Sequence, residues 1–377
     1  MKRFLLLFAA AALQAKIPVI DCTDLYHPHQ DPGDNIDLIA AYGLPEVDLR
    51  AVILDCTEQY RREGTTLRDA GVIPVTQLNY IFGRNVPFGI SPFRKLKTPD
   101  DTLADAPRFF DAVEVFLAAL RASEEPVQVV SFGSCRVVAA AYNRDPELLR
   151  RKIGCLHISA GTTSGELFDV DWRASKRIPL KPGSRGYLEW NVELDAHAFV
   201  RLPRSDLPIA LYPCATENGP FAMDSHNTFY ETDTLDFIRR MNPRLQAYLH
   251  YALAKSARPD FLRATEEVPS TAQLDGICAR RHRVWETAVW QCATGRELVQ
   301  RPGTGYRLIP KSEVRPEDGR LVSGLVPCSW TVGDDGRFIF SRTEKNTGRR
   351  IYFRGDPEEN RRAMAEALAA LYDGFLK

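Results

Sequence analysis

Short apolar runs alternate with longer amphipathic stretches through the first two thirds of the chain. Six of these runs are rich in valine and isoleucine and are bounded by glycine, proline or aspartate, which is typical of buried parallel strands. They are IPVID (17–21), LRAVILD (49–55), GVIPVT (71–76), VQVVSF (127–132), CLHISAG (155–161) and PIALYPC (208–214). Amphipathic stretches such as 106–123 and 136–151 lie between them. The alternation predicts βαβ units that form an α/β fold, an open and mostly parallel sheet with flanking helices.

The pattern changes after residue 230. Helical periodicity prevails in TLDFIRRMNPRLQAYLHYALAK and VWETAVWQCATGRELV, and two β-rich pieces follow near SWTVGDDGRFIFSR and RRIYFRG. A final helix is predicted in PEENRRAMAEALAALYDGFL. The C-terminal third is therefore expected to add helices and a small β portion. Because no linker divides the chain and no internal repeat is present, one domain is predicted over residues 16–377.

The first fifteen residues have the layout of a secretory signal peptide. Lys2 and Arg3 precede an apolar run that ends at Leu13, and the small Ala15 follows. The run is too short to span a bilayer comfortably, and no second candidate span follows it. Leu13 replaces the small residue that is preferred near a cleavage site, and a buried first strand or helix is the alternative. We predict a signal peptide over residues 1–15 and export to the periplasm or the extracellular space.

Charge and cysteine content narrow the classes of partner and of metal site. The chain has 49 Lys+Arg and 49 Asp+Glu residues, so its formal net charge is zero and a nucleic-acid polymer is not a predicted partner. The eight cysteines (22, 56, 135, 155, 214, 278, 292 and 328) contain no CxxC pair, which excludes a zinc ribbon. Most lie in apolar segments, so buried free thiols and one or two disulfide bridges both remain open.

The segment DLYHPHQDPGDNIDL, residues 24–38, places polar side chains directly after the first predicted strand. It contains Asp24, Asp31, Asp34, Asp37, His27 and His29. Ligands of open α/β sheets bind beyond the carboxyl ends of the strands. One or two aspartates at a helix start can cap free N–H groups, but four would repel one another without a cation. Such oxygen ligands suit Ca²⁺ or Mg²⁺, and the histidines extend the choice to Zn²⁺ or Fe²⁺.

Two further stretches with unusual polar content follow predicted strands. In SFGSCRVVAAAYNRDPELL, a tight turn at Gly133 exposes backbone groups to a ligand. Cys135 in that turn has no His–Asp pair with an obvious place beside it, which argues against a nucleophile. In GYLEWNVELDAHAFV, Glu189 and Asn191 flank Trp190, so on an extended segment both polar side chains face the same way and suit sugar hydroxyls. A surface strand with a buried Trp190 is the alternative.

Taken together, these segments resemble the inosine–uridine nucleoside hydrolase family. IDCTDLYHPHQDPGDNIDLIAAYGLPEVDLRAVI is similar to that family's strand, DxDPGxDD loop and helix. SFGSCRVVAAAYNRDPELLRRKIGCLHISAG is similar to its TGGLTNxA…DPE…GG run, and EWNVELDAHAFV…LPIALYPC to its EFNxxxDPEAA…PxTLVPLD segment. VPFGISPFRKL corresponds to its G…PL loop, and VWETAVWQCATG lies where the family has HDPxAxAYL. The resemblance spans nearly the whole chain after the predicted signal and implies the nucleoside hydrolase fold.

The resemblance also implies an activity, a cofactor and a set of site residues. The activity is Ca²⁺-dependent hydrolysis of the N-glycosidic bond of a ribonucleoside or similar small glycoside, by a homo-oligomer. The metal of the family holds the nucleophilic water and the ribose diol. By position, the ligands would be Asp24, Asp31 and Asp34, the carbonyl of Phe132, and Glu286 in place of a later aspartate. Asp31 or Asp24 would activate the water, and Glu189 and Asn191 would hold ribose hydroxyls.

Two positions depart from the family pattern. Gly33 falls on the first aspartate of the family's DD pair, which normally takes the proton from the attacking water. A six-residue insertion that carries the two histidines lets Asp31 fill that place. Trp285 occupies the position of the histidine that protonates a leaving base, and tryptophan stacks on a base but donates no useful proton. His226 and His282 are the candidate substitutes, and we group His226 and Trp285 with the substrate-binding residues.

These departures leave three functions open. The first is a divergent, exported, Ca²⁺-dependent N-glycosidase. The alternative is an exported sugar- or nucleoside-binding protein that keeps the same scaffold but has lost hydrolysis. The third is a metal enzyme on another substrate that uses His27 and His29 with zinc or iron.

Overall fold

The computed structural model describes residues 16–25, 32–55, 71–166, 189–216, 218–334 and 336–377. Within these ranges the strands are β1 (Ile17–Thr23), β2 (Val47–Leu54), β3 (Phe88–Ile90), β4 (Val127–Ser131), β5 (Ile153–Ser159), β6 (Thr162–Glu166), β7 (Ile209–Tyr212), β8 (Ala215–Thr216), β9 (Tyr230–Thr232), β10 (His282–Val284), β11 (Arg296–Arg301), β12 (Gly305–Pro310), β13 (Gly319–Arg320), β14 (Ser323–Val332), β15 (Arg337–Arg342) and β16 (Arg349–Arg354).

The α-helices are α1 (Pro32–Gly43), α2 (Val72–Phe82), α3 (Ala112–Ala122), α4 (Arg136–Arg144), α5 (Pro146–Lys152), α6 (Trp190–Leu194), α7 (Ala196–Arg201), α8 (Pro243–Leu253), α9 (Phe261–Ala264), α10 (Thr271–Cys278), α11 (Thr287–Ala293) and α12 (Pro357–Asp373). Asp236–Arg240 and Lys311–Glu313 form 3₁₀ helices.

One open sheet contains eleven of these strands, in the order β3-β2-β1-β4-β5-β7-β16-β14-β15-β6-β8. All neighbours run parallel except β14 with β15 and β14 with β16. Strand β14 joins two parts of the sheet, because its first half pairs with β16 and its second half with β15. The pair β9–β10 and the three-stranded β12–β11–β13 are the small β additions. The predicted fold class is therefore confirmed.

The sheet is covered by helices on both faces, which explains why its strands are apolar at consecutive positions. Val129 and Val130 of β4 lie in different hydrophobic cores, because successive side chains of a strand point to opposite faces. Helices α1, α8 and α12 cover the Val130 face, and α3, α4 and α7 cover the Val129 face. Burying one such aliphatic side chain contributes about 1.5–3 kcal/mol to folding.

The prediction of a strand at GVIPVT, residues 71–76, is wrong. This segment begins α2, with Gly71 in the left-handed region at φ 93° and Pro74 in the first turn. The buried residues Pro74, Val75 and Leu78 follow helical spacing, which becomes visible only when the window extends to residue 82. A short run of β-branched residues does not by itself distinguish a strand from a buried helix start.

The cysteines form no disulfide within the part of the chain that the structure describes. Seven of the eight are described and all are free; Cys292 is half-buried, and the other six are buried. Cys56 and the predicted signal peptide lie outside the described residues. In the same ranges, no helix has both the length and the apolar character needed to span a bilayer.

Candidate active site

Polar groups gather where the parallel strands β1, β2, β4, β5 and β7 end. Because parallel strands share one carboxyl edge, the segments that follow them lie side by side. The backbone of Asp55, after β2, donates to the carbonyl of Thr23 at 2.8 Å. The backbone N–H of Phe132, after β4, donates to the carbonyl of Cys22 at 2.8 Å. The end of β1 is thus bracketed by the turns that follow β2 and β4.

Three acidic side chains from separate elements interact at this edge. Asp21 of β1 is fully buried, and burial raises its pKa to about 8. Asp37 of α1 accepts a hydrogen bond from the indole N–H of Trp290. Burial first, and then the charges of Asp21 and Glu286, raise the pKa of Asp37 well above its ordinary value. The charges of Asp21 and Glu286 thus both act on Asp37, which lines one cavity together with Glu286.

The predicted first-loop ligands are only partly described. Asp24 is buried and packs beside the β4–α4 turn, since a Cβ atom on Gly133 would lie 3.3 Å from Asp24 Cβ. Asp34 is buried in the first turn of α1. Asp31, His27 and His29 lie outside the described residues.

Phe132 and Glu286, the other two predicted ligands, both lie near α11. The ring of Phe132 lies 6.1 Å from that of Trp290, whose indole holds Asp37. Glu286 precedes α11, and its Oε2 accepts a hydrogen bond from the backbone of Trp285 at 2.9 Å. Glu286 and Asp37 line one cavity. The arrangement places Glu286 beside the helix that carries Asp34.

The chemistry of these groups fits a hard divalent cation. Neither oxygen of Asp21, nor Oδ2 of Asp37, has a hydrogen-bond partner among the described residues. Buried carboxylate oxygens without donors are costly unless a positive charge compensates them. Within the described ranges, no three His, Cys, Asp or Glu side chains already surround a common position. A cation here would therefore take its remaining ligands from backbone carbonyls, water or the loop that contains Asp31.

Glu189 and Asn191 do not lie on an extended segment, so that part of the interpretation is wrong. Glu189 is the N-cap of the short helix α6, and its carboxylate accepts backbone N–H groups of Gly161 at 2.7 Å and Asn191 at 3.1 Å. Burial raises its pKa, and these backbone hydrogen bonds oppose the rise. The amide of Asn191 donates to the carbonyl of Ser159 at 2.8 Å. Both side chains therefore lie at the end of β5, with Glu189 fixed by backbone groups.

Trp285 lies at the same edge, at the end of β7. Its indole N–H donates to the carbonyl of Cys214 at 3.1 Å, and its ring lies 5.2 Å from that of Phe229. It is half-buried. These contacts fix the indole of Trp285, which directly precedes Glu286 in the chain.

The two candidate histidines have different surroundings. His226 packs against Phe340 and Phe353, donates from Nδ1 to the carbonyl of Tyr352 at 2.7 Å, and accepts from Arg342 at Nε2. These contacts tie it to β15 and β16. His282 instead lines the cavity of Asp37 and Glu286, and burial lowers its pKa to about 3.

The β4–α4 turn resembles a nucleophile elbow in shape, but the thiol of its cysteine is buried. Cys135 has φ 59° and immediately precedes α4. Burial raises the pKa of its thiol to about 12, and its Sγ contacts the hydroxyl of Ser131 at 3.4 Å. A neutral, buried thiol is a poor nucleophile. The expectation that Cys135 is not catalytic agrees with this environment.

Trp290 and Asp55 belong to this region but were not predicted from the sequence. Trp290 lies in a helical run where an aromatic residue usually indicates core packing, so the sequence carries no signal for its hydrogen bond to Asp37. Asp55 is different, because it directly follows the apolar run of β2, as Asp21 ends the run IPVID. An aspartate at the carboxyl end of a buried strand is a detectable signal.

Similarity to known proteins agrees with the described fold. No family model matches the chain. Over 149 residues it is 32% identical to the pyrimidine-specific ribonucleoside hydrolase RihA of Escherichia coli O1:K1, a match that covers 35% of this chain and 46% of that protein. The chain thus spans about half the length of the curated relatives that it matches.

Solved structures extend the similarity to almost the whole chain at the level of fold. A purine-preferring ribonucleoside hydrolase from Gardnerella vaginalis superposes with a TM-score of 0.51 at 15% identity, over 94% of this chain and 99% of that one. A plant nucleoside hydrolase gives a TM-score of 0.50 at 15% identity, with the same coverage. The predicted resemblance to the nucleoside hydrolase family is thus confirmed at the level of the fold.

Proposed function

We propose that this chain is a divergent, Ca²⁺-dependent N-glycosidase that hydrolyses a ribonucleoside or a similar small glycoside. The observation that carries the proposal is the cavity that Asp37 and Glu286 line together at the carboxyl edge of a nucleoside-hydrolase fold, near the buried Asp21, whose carboxylate oxygens have no hydrogen-bond partner among the described residues. One relative is named pyrimidine-specific and one structural neighbour purine-preferring, so neither name decides the base for this chain.

The proposed site would hold one metal ion at the carboxyl edge of the sheet. Its ligands would be Asp24, Asp31, Asp34, Glu286 and the carbonyl of Phe132. When bound, Ca²⁺ would supply positive charge that lowers the pKa of a water and orients the ribose diol. Asp21 and Asp37 lie next to this set, and the positive charge would keep both of them ionised.

The remaining steps are assigned to side chains of this chain. Asp31 or Asp24 takes the proton of the attacking water, because Gly33 stands where the family has its usual base. Asn191 contacts sugar hydroxyls, and Glu189 fixes the helix that presents it. Trp285 offers a ring face on which a base can stack. It donates no proton, so the proton for the leaving base would have to come from another group or from water.

The test is ribose release from inosine, uridine and adenosine by the purified protein. A calcium chelator should abolish release, and added Ca²⁺ should restore it. Asp24→Asn should lower kcat/KM by at least about a hundredfold, since it removes a ligand and a candidate base. Asp275→Asn, on an exposed face of α10, is the matched control and should retain full activity. Absence of turnover on a broad nucleoside panel with Ca²⁺ present would contradict the proposal.

The second candidate is a sugar- or nucleoside-binding protein without hydrolysis, which Gly33 and Trp285 favour. Calorimetric titration with ribose and nucleosides, followed by assay for free base, separates the two functions. Binding without base release would support this candidate. Zinc or iron in an elemental analysis of the purified protein would instead favour a metal enzyme that uses His27 and His29.

Export and assembly complete the proposal. The basic start and apolar run of residues 1–15 support cleavage after Ala15 and transfer out of the cytoplasm. N-terminal sequencing of the secreted or periplasmic fraction tests this, and a mature protein that begins at Met1 would contradict it. Association into dimers or tetramers is checked by light scattering.

A further inference from the structure

A fully buried arginine connects the segments at the carboxyl edge of the sheet. Arg136, the first residue of α4, has no exposed surface. Its Nε donates to Oδ2 of Asp195 at 2.9 Å and its Nη1 to the carbonyl of Pro92 at 2.7 Å. Its Nη2 donates to the carbonyl of Leu194 at 3.3 Å, and its Nη1 lies 3.9 Å from Oδ1 of Asp55. One guanidinium thus contacts three separate loops.

Asp195 extends this network in two directions. It is buried at the junction of α6 and α7, where its Oδ1 accepts the backbone N–H of Ala198 at 3.2 Å. Its Oδ2 accepts the backbone N–H of Leu96 at 2.7 Å, in addition to Arg136. The carboxylate therefore fixes the end of α6 to the loop that follows β3.

The opposite end of the network reaches the first loop. Oδ2 of Asp55 accepts the hydroxyl of Ser134 at 2.8 Å. A Cβ atom on Gly133 would lie 3.3 Å from Asp24 Cβ and 3.5 Å from the Asp55 carbonyl, so these three residues are packed together. Arg136 is thereby linked through Asp55 to Asp24, and through Leu194 to the helix that begins at Glu189.

We propose that Arg136 is a positioning residue that holds the sugar-contacting helix α6 and the loop at Pro92 in register with Asp24. The expected effect of Arg136 on catalysis rests on the proposed function, whereas its expected effect on the geometry of these segments does not. A buried ion pair contributes little net stability compared with apolar packing. Its planar, directional donors do fix the relative placement of several carbonyls and carboxylates. Small displacements of groups that contact a substrate reduce the rate strongly.

The test compares Arg136→Lys with Arg296→Lys. Lysine keeps the charge but cannot donate to Asp195, Pro92 and Leu194 with one rigid fork. Arg296 is a matched control, because it is also buried and donates to Glu46 at 2.6 and 3.0 Å and to the carbonyl of Leu308 at 2.8 Å. Glu46 immediately precedes β2, so this pair lies at the amino edge of the sheet.

Amide hydrogen exchange reads out positioning without reference to activity. Arg136→Lys should raise exchange about tenfold or more in residues 189–200 and 91–97, because both segments lose a fixed partner. Arg296→Lys should leave these two segments at the wild-type rate. Asp195→Asn removes the charge from the other side with little change in volume and should produce the same pattern. The Asp195→Asn variant therefore still tests the proposal if Arg136→Lys does not fold.

Kinetics read out the consequence for the substrate. For Arg136→Lys we expect kcat/KM to fall about a hundredfold, mainly through a higher KM, since Asn191 on α6 contacts the sugar in the ground state as well. Arg296→Lys should keep kcat/KM. Unchanged exchange in both segments of Arg136→Lys and Asp195→Asn, or an equal rise in Arg296→Lys, would overturn the proposal. A wild-type protein without hydrolysis would refute the proposed function, while exchange would still decide the role of Arg136.

Discussion

Two buried neutral histidines should each contribute a loss of stability in mild acid. His157 of β5 is buried, with Nδ1 2.8 Å from the hydroxyl of Tyr212 and Nε2 3.0 Å from Oε1 of Gln128. Burial, and then the charge of Arg350, lower the pKa of His157 to about 3, from 6.5. The unfolded chain therefore binds a proton below pH 6.5 that the folded protein does not bind, and the contribution of His157 to the free energy of unfolding decreases as the pH falls.

The size of the effect follows from the pH range over which the unfolded chain binds this proton and the folded protein does not. Each pH unit below 6.5 costs about 1.4 kcal/mol per histidine, so His157 removes about 2 kcal/mol of stability at pH 5. Above about pH 7.5 it removes nothing, because both states are neutral. His282, with its pKa also lowered to about 3, adds a similar loss in the wild-type protein.

Urea unfolding followed by tryptophan fluorescence at pH 7.5 and pH 5 measures this loss. Relative to its value at pH 7.5, the free energy of unfolding at pH 5 should be about 2 kcal/mol lower in the wild type than in His157→Gln. Other titrating groups are common to both proteins and cancel in this comparison. His197→Gln, on the exposed surface of α7, is the control and should keep the wild-type change. Equal changes in the wild type and His157→Gln would refute the reasoning.

Three smaller predictions concern packing and hydrogen bonds. Trp290→Phe removes the donor to Asp37 and should lower the free energy of unfolding by about 1–3 kcal/mol at pH 7, whereas Trp190→Phe, at a more exposed tryptophan, should change it by less than about 0.5 kcal/mol. Gly89→Ala should cost about 1–3 kcal/mol, since the new Cβ would lie 2.6 Å from the backbone of Ala112. Gly276→Ala on α10 meets no atom within 4 Å and should instead stabilise by about 0.5–1 kcal/mol. Chemical denaturation checks all of them, and a stabilising Gly89→Ala would contradict the described packing.

The sheet was accessible from the sequence because its strands are marked by a simple physical feature. Strands covered on both faces need apolar side chains at consecutive positions, and five of the six predicted runs fall on β1, β2, β4, β5 and β7. The sixth, at residues 71–76, failed because Val72 and Val75 are as apolar in a buried helix as in a strand. A run of apolar residues thus indicates that a segment is buried, but not whether its backbone forms a strand or a helix.

The site was less accessible because its contacts join residues far apart in the chain. Local spacing predicted that Glu189 and Asn191 lie at the edge of the sheet. It did not predict the helix α6 that carries Asn191, because this helix begins where the carboxylate of Glu189 caps its N-terminus. Arg136 is marked in the sequence, because an arginine that starts the apolar run RVVAAAY must find buried partners. Its partner Asp195, 59 residues later, could not be deduced from periodicity.

The position of β16, β14 and β15 in the sheet has a consequence for how the protein is made. These strands come from residues 323–354, yet they lie between β7 and β6, which are translated much earlier. While the ribosome is still synthesising the chain, β7 must present an open edge, and β6 and β8 have no sheet to join. Such late, long-range pairing is slow and exposes strands that can aggregate. A nascent chain that stops before Ser323 is therefore expected to require a chaperone or to precipitate.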